Sequence, residues 1–148
     1  MTQEKLEEML TASKRQTRSV EKGSGDEFWM TNNCLYCGKI LRVTEAHQGS
    51  RHYHFLKDET FYILSGQILM EAYGGVKVMN AGDVLRIEPG TVHRFSNLSL
   101  GEPAEIIEIS TEHSDTDTYR VEGTVSGPIP EDELLELRRK YLQDYVGP

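Results

Sequence analysis

The sequence predicts an all-β fold, an antiparallel sandwich or barrel with a helical segment at each end. Three observations lead to it. Short runs rich in β-branched and aromatic residues recur between residues 39 and 110. Turn chemistry separates them at regular spacing, at Ser65-Gly66, Gly74-Gly75, Asn80-Ala81-Gly82-Asp83 and Pro89-Gly90. The stretches before and after this centre are charged, and their patterns are helical.

Taken in order, residues 1–20 read as a charged helix with Leu6, Met9 and Leu10 at helical spacing. Glu21-Lys22-Gly23-Ser24-Gly25-Asp26 is turn or linker chemistry that stops it, so residues 1–27 form an N-terminal helical segment. The β region covers 28–127, with strands expected at 39–43, 51–55, 60–64, 67–73, 76–79, 84–87, 93–95 and 104–110, and a loop at 47–50. Gly74-Gly75 is a strong hairpin signal. Pro128-Ile129-Pro130 opens a C-terminal helix over 128–148. Glu131, Asp132 and Glu133 lie in its first turn and Arg138, Arg139 and Lys140 further on, in accord with the helix dipole. No internal repeat interrupts the chain, and residues 1–148 are expected to form one domain.

Composition limits what such a domain does. The 148 residues are 37% hydrophobic and 27% charged, an ordinary balance for a chain that buries a core without disulfides. A net charge of −8 argues against a nucleic-acid partner, because phosphate backbones call for a basic face. A phosphorylated small molecule stays possible, since a metal and local lysines reverse the field inside a pocket. No apolar run approaches the about 20 residues that cross a bilayer. The charged N-terminus lacks a signal-peptide core, so a cytoplasmic protein with no membrane partner is expected. Cys34 and Cys37 form a lone C-x-x-C with no second pair, which reads as two reduced thiols.

Chemistry concentrates around His52-Tyr53-His54. Residues i and i+2 of a strand share a face, so the two imidazoles converge. Glu59 lies five residues after His54, an odd separation that sends it to the opposite face unless residues 55–58 bend. His93 follows the Pro89-Gly90 turn and opens another strand. Three imidazoles and a carboxylate make a mixed N/O donor set suited to Mn, Fe, Co, Ni or Zn, with room for water or substrate.

The spacing of these residues resembles the cupin pattern. His52-Tyr53-His54, Glu59 and Gly66 are similar to the later part of the first cupin motif. Gly82-Asp83, Pro89-Gly90, His93 and Asn97 are similar to the second. The glycine usual six positions before the first histidine is replaced by Ala46, and Glu88 stands at a usual proline position with Pro89 beside it. Both departures fall at turns and leave the four candidate ligands intact. The resemblance spans residues 46–97. It implies a double-stranded β-helix, or jelly roll, with one divalent metal ion held inside the barrel by His52, His54, Glu59 and His93.

Within the cupins, His52-x-His54-x-x-Lys57-x-Glu59 resembles the corresponding segment of D-lyxose isomerase-like proteins, a group related to mannose-6-phosphate isomerases. Glu108-Ile109-Ser110-Thr111, with Asp115 and Asp117 beyond it, resembles a second such segment more loosely. That likeness implies aldose–ketose isomerisation through an enediol, with manganese the favoured ion and a sugar or sugar phosphate as substrate. Glu108 sits among Ile106, Ile107 and Ile109, where a buried carboxylate needs a reason. It is expected to act as the base, with Lys57 as its electrostatic or acidic partner. His113 and Asp117 are expected to rim the pocket and bind substrate. The same ligands also serve an Fe(II)-dependent dioxygenase or a non-catalytic sugar-binding cupin. Isoleucines on both faces of residues 105–109 suggest burial on both sides, and hence a homodimer.

Overall fold

A computed structural model describes residues 2–142 of the chain. Helix α1 (Gln3–Arg15) is capped by the Thr2 hydroxyl, which accepts from the Lys5 amide. It buries none of its residues, and Leu6, Met9 and Leu10 stay exposed. Strands β1 (Arg18–Lys22) and β2 (Gly25–Asn32) follow as a hairpin, and then β3 (Cys37–Val43), β4 (His47–Gln48) and β5 (His52–Tyr53). Beyond them come β6 (Glu59–Ser65), β7 (Gln67–Ala72), β8 (Gly75–Asn80), β9 (Val84–Ile87), β10 (His93–Asn97) and β11 (Ala104–Ser110). A 3-10 turn (Asp115–Asp117), β12 (Tyr119–Arg120), β13 (Gly127–Pro128) and helix α2 (Glu131–Tyr141) complete the order.

The strands form two antiparallel sheets facing each other as a jelly roll. One runs β1-β2-β3-β11-β6-β9. The other runs β12-β5-β10-β4-β13, with β7 on β10 and β8 on β7. Gly66 turns the chain from the first sheet into the second with φ 79°; a Cβ there would lie 3.0 Å from that of Ala104. Tyr73 and Gly74, both at positive φ, close the β7–β8 hairpin that Gly74-Gly75 signals. Ala46, at the usual glycine position, has φ 54°, the left-handed conformation that a glycine adopts freely.

The sequence expectation needs revision at both ends and in the centre. The N-terminal helix stops at Arg15, and of residues 21–26, read as turn or linker, Gly23-Ser24 form the turn of a hairpin and the others belong to its strands. That hairpin owes its place to pairing of β2 with β3, a non-local contact with no signature in residues 16–24. The strand expected over 51–55 contracts to His52–Tyr53, and the loop at 47–50 contains β4, which pairs with β10 and β13. Of the helix expected over 128–148, α2 occupies Glu131–Tyr141, and residues 143–148 lie outside the described residues.

The inward faces of β3, β6 and β11 change character along their length, and that change positions the site. At one level they contribute Leu41, Val43, Phe61, Ile63, Ala104 and Ile106 to the main hydrophobic core, which Ile68, Met70, Met79 and Ile87 complete. At the next level the same faces present Lys39, Glu59 and Glu108, all buried. Register aligns them, with Lys39 opposite Glu108 and Glu59 opposite Ser110. One end of the barrel is thus a packed core and the other a polar chamber. A second, smaller core, formed by Leu69, Leu98, Ile129 and Leu134, seats α2 outside the barrel.

Candidate metal centre

His52 sits on β5 and His93 opens β10, and these two residues are direct cross-strand partners. Their rings lie 4.5 Å apart, with His54 at 5.2 Å and 5.8 Å from them. The donor atoms of all three lie within 4.8 Å of one another, so this cluster could hold a metal ion. The bend required to bring in Glu59 is present. Residues 54–58 leave strand geometry, and β6 starts at Glu59 with its carboxylate inward, 2% exposed. Glu59 Oε1 lies 2.9 Å from His93 Nε2 and 3.7 Å from His54 Nε2.

Hydrogen bonding settles which nitrogens face the centre. His52 Nδ1 contacts the Ser50 carbonyl at 3.0 Å, His54 Nδ1 that of Asp117 at 3.0 Å, and His93 Nδ1 that of Thr91 at 2.9 Å. A carbonyl only accepts, so each Nδ1 carries a proton and each Nε2 is turned inward. His93 Nε2 and Glu59 Oε1 are both buried without a hydrogen-bond partner. Two acceptors at 2.9 Å repel unless a proton or a cation lies between them. Burial, followed by the charge on His93, pushes the His52 imidazole down to about 4, and burial also lowers His54. Burial raises Glu59, but the His93 contact and the Lys57 charge outweigh it and hold the carboxyl well below its usual range. Neutral imidazoles and an ionised carboxylate are the states that ligate a divalent ion. The donor set therefore fits one, and the geometry does not choose among the metals.

Lys57 joins the cluster to the chamber. It is 3% exposed, and its ammonium lies 3.2 Å from Glu59 Oε2, 2.8 Å from Glu108 Oε2 and 3.0 Å from His113 Nδ1. Burial pulls this ammonium down, yet Glu108 and Glu59 outweigh burial and keep it above its ordinary value. Glu108 also accepts from the Ser110 hydroxyl at 3.0 Å and lines a cavity of about 530 Å³ with Lys57, Glu59, His52 and His54. The volume suits a small molecule.

His113 is on the cavity wall, edge-on to Trp29 at 5.0 Å, with Nε2 3.0 Å from Asp115. Burial, reinforced by Lys57 and Lys39, lowers it to about 4. Asp117 does not line the cavity as expected. Its carboxylate is buried and accepts the backbone amides of Phe55, Leu56 and Lys57 at 2.9–3.2 Å, so it clamps the bend that delivers Glu59. Sequence reasoning missed Lys39 and Glu27, which line the cavity, and Trp29, against whose ring the Lys39 ammonium rests. Alternation along β3 inward from Leu41 was the available signal for Lys39. Cys34 and Cys37 are unbonded, one exposed and one buried.

A jelly roll with a His-x-His segment, a carboxylate after a bend and a third histidine on the neighbouring strand resembles the architecture of a cupin. Residues 40–110 match the family profile described as Cupin domain. Over 89 residues the chain is 34% identical to quercetin 2,3-dioxygenase of Bacillus subtilis (strain 168), covering 51% of this chain. The match spans only about a quarter of that protein, 26% of its length. Among solved structures, KdgF from Halomonas sp. superposes with a TM-score of 0.58 and 18% identity, over 68% of this chain and 88% of that one. Oxalate decarboxylase from Bacillus subtilis gives 0.62 and 19%, over 74% and 31%. An RmlC-like cupin from Shewanella frigidimarina gives 0.59 and 18%, over 69% and 89%. At these identities the superpositions show the shared fold alone. Among the described residues no helix is long and apolar enough to cross a membrane.

Proposed function

We propose that the chain is a metal-dependent sugar isomerase, interconverting an aldose and a ketose by moving a proton between adjacent carbons. The observation that carries this reading is Glu108, a buried carboxylate on the cavity wall, 2.8 Å from the Lys57 ammonium and beside the histidine cluster. His52, His54, His93 and Glu59 would hold the ion, with Mn preferred and Zn, Fe, Co or Ni compatible. A divalent ion there supplies Lewis-acid polarisation of the substrate oxygens. Glu108 takes the proton from the carbon beside the carbonyl and returns it to the former carbonyl carbon. The hydroxyl proton passes between the two substrate oxygens, so no oxidant is consumed. Lys57 pairs with Glu108 at 2.8 Å and holds it in position in a buried chamber. Its place in the motif shared with D-lyxose isomerase-like cupins supports the assignment, as does a wall polar enough for a hydroxylated substrate or its phosphate.

The test is proton NMR in D₂O of Mn²⁺-loaded protein with a panel of aldoses, ketoses and their phosphates. Deuterium entering beside the carbonyl, with aldose–ketose conversion, supports the reading. Glu108→Gln is expected to lower turnover at least about 100-fold with metal content unchanged. Silence across the panel with one ion bound per chain would overturn it. A second reading, an Fe(II)-dependent dioxygenase, is favoured by the 34% identity to quercetin 2,3-dioxygenase. Oxygen uptake by the Fe(II)-loaded protein separates the two, because isomerisation consumes none.

We further infer that two copies pair through the outer face of the six-stranded sheet. Phe28, Ile40, Ile107, Tyr62 and Val84 stand in one cross-strand row there, each in register with the next. Exposed Leu64, Ile109 and Met30 flank the row. Five strands about 4.8 Å apart make it about 19 Å long. A row apolar from end to end matches its own image about a two-fold axis. Light scattering should return the mass of two chains, and Tyr62→Lys should halve it; a wild-type monomer overturns the inference.

A further inference from the structure

The chamber contains two buried lysines whose donors are spent differently. Lys57 directs its ammonium at Glu108, Glu59 and His113, three partners within 3.2 Å. Lys39 is as deeply buried, 2% exposed, yet its one hydrogen bond is a long 3.4 Å contact to Glu27 Oε1. Otherwise its Nζ rests over the Trp29 ring, 4.0 Å from the centroid. Glu27 is itself shared, accepting from the Trp29 indole at 2.9 Å. An ammonium has three donors, and burying them unspent is unfavourable. Burial draws Lys39 below its ordinary value even with Glu108 beside it, so its present counter-charges do not fully compensate it.

The surrounding charge points the same way. Lys22, Lys39, Lys57 and Arg120 line the cavity against four carboxylates. A divalent ion at the histidine cluster would leave the wall with two positive charges in excess, inside a chain of net charge −8. A low-dielectric cleft focuses that local field on whatever enters.

We propose that Lys39 is the recognition residue for an anionic oxygen group, a carboxylate or a phosphate, on the small molecule that occupies the cavity. Glu108 lies between this subsite and Lys57, since it faces Lys39 across the β3–β11 pairing and contacts Lys57. A substrate held at Lys39 and at the histidine cluster would therefore pass over Glu108. The proposal takes the identity of the cavity as the substrate site from the isomerase reading, but anion binding itself requires no turnover.

Trp29 is the chain's one tryptophan, and its indole reports directly on the Lys39 ammonium. The experiment titrates Mn²⁺-loaded protein with D-glucuronate, D-glucose 6-phosphate and D-glucose, following Trp29 fluorescence and, in parallel, heat of binding. At least one anionic probe is expected to bind ten-fold or more tightly than D-glucose, and comparing the two anions tells carboxylate from phosphate. Lys39→Met should abolish that preference while leaving D-glucose binding and metal content unchanged, and Lys39→Arg should restore part of it. Because Lys39→Met leaves the partly buried Glu27 without its ammonium partner, the double variant Lys39→Met/Glu27→Gln, which carries no such charge, repeats the measurement. Equal binding of all three probes by the wild type overturns the proposal, as does an anion preference that survives in the folded double variant. Absence of deuterium exchange with the preference intact would remove the isomerase reading and leave the anion subsite standing; exchange without the preference would do the reverse.

Discussion

Replacing Asp117 tests whether this residue builds the metal centre from a distance. Its carboxylate accepts three consecutive backbone amides, from Phe55, Leu56 and Lys57, and its own carbonyl accepts from His54 Nδ1. A hydrogen bond to a charged acceptor contributes about 1.5–3 kcal/mol. The side chains of Phe55 and Leu56 are exposed, so water can reach amides freed there, and the low end of the range applies. Asp117→Ala is therefore expected to cost about 4.5 kcal/mol. For a chain of this size that corresponds to roughly 10 °C in Tm. Asp117→Asn keeps an acceptor oxygen without the charge and should lose about half as much. The bend carries Lys57 and Glu59 into the site, so both variants should also bind Mn²⁺ about 10–100-fold more weakly, as expected when a group that orients ligands is removed. Thermal unfolding monitored by circular dichroism and Mn²⁺ titration by calorimetry provide the readings. Unchanged Tm and unchanged Mn²⁺ affinity in Asp117→Ala would refute the clamp. A raised KM as the sole effect would return Asp117 to substrate binding.

Three further predictions follow from the same geometry. Gly66→Ala combines a left-handed backbone with a Cβ 3.1 Å from the Ala104 Cα, and urea unfolding should show a loss of about 2–4 kcal/mol; a loss under 1 kcal/mol would contradict the turn described. Glu27 is raised by burial but more strongly lowered by Lys39 and the Trp29 indole, so its folded value lies below its unfolded one. Its contribution to stability is complete above about pH 4.3, the unfolded value, and disappears as pH falls through the folded value. Glu27→Gln should accordingly flatten the acid limb of the stability–pH curve, and an unaltered limb would show that the lowering is absent. Chelator-stripped protein should gain about 2.7 kcal/mol when Mn²⁺ is restored at 100 times its Kd, and His93→Ala should abolish that gain. Superimposable unfolding curves with and without the ion would argue against a metal centre in this cluster.

Much of the β fold could be read locally. Strands β9 and β11 lie at their expected bounds and β6, β7 and β8 within a residue of theirs, because apolar and β-branched runs mark them locally and glycine or Asn-to-Asp turns separate β6 to β9. The hairpin of β1 and β2 could not, since Arg18–Lys22 has weak strand character and takes its conformation from partners as distant as β3. Ala46 shows the limit in another form. The backbone position is the one that the cupin resemblance marks for glycine, and the chain adopts the left-handed turn there without it.

The candidate site divides along the same line. By itself the sequence determined the convergence of His52 and His54, because period-two alternation is a property of any strand, and it determined that Glu59 required a bend. It also marked Glu108, as a carboxylate among isoleucines. Only the tertiary structure decided that three Nε2 atoms face one point, since that depends on carbonyls of Ser50, Thr91 and the distant Asp117. Only the tertiary structure made Asp117 a clamp across about 60 positions of sequence and set Lys39 opposite Glu108. Alternation tells which face a side chain is on; register and closure of the barrel tell what it meets there. Those arise from hydrogen bonding between strands far apart in the chain, and no local pattern encodes them.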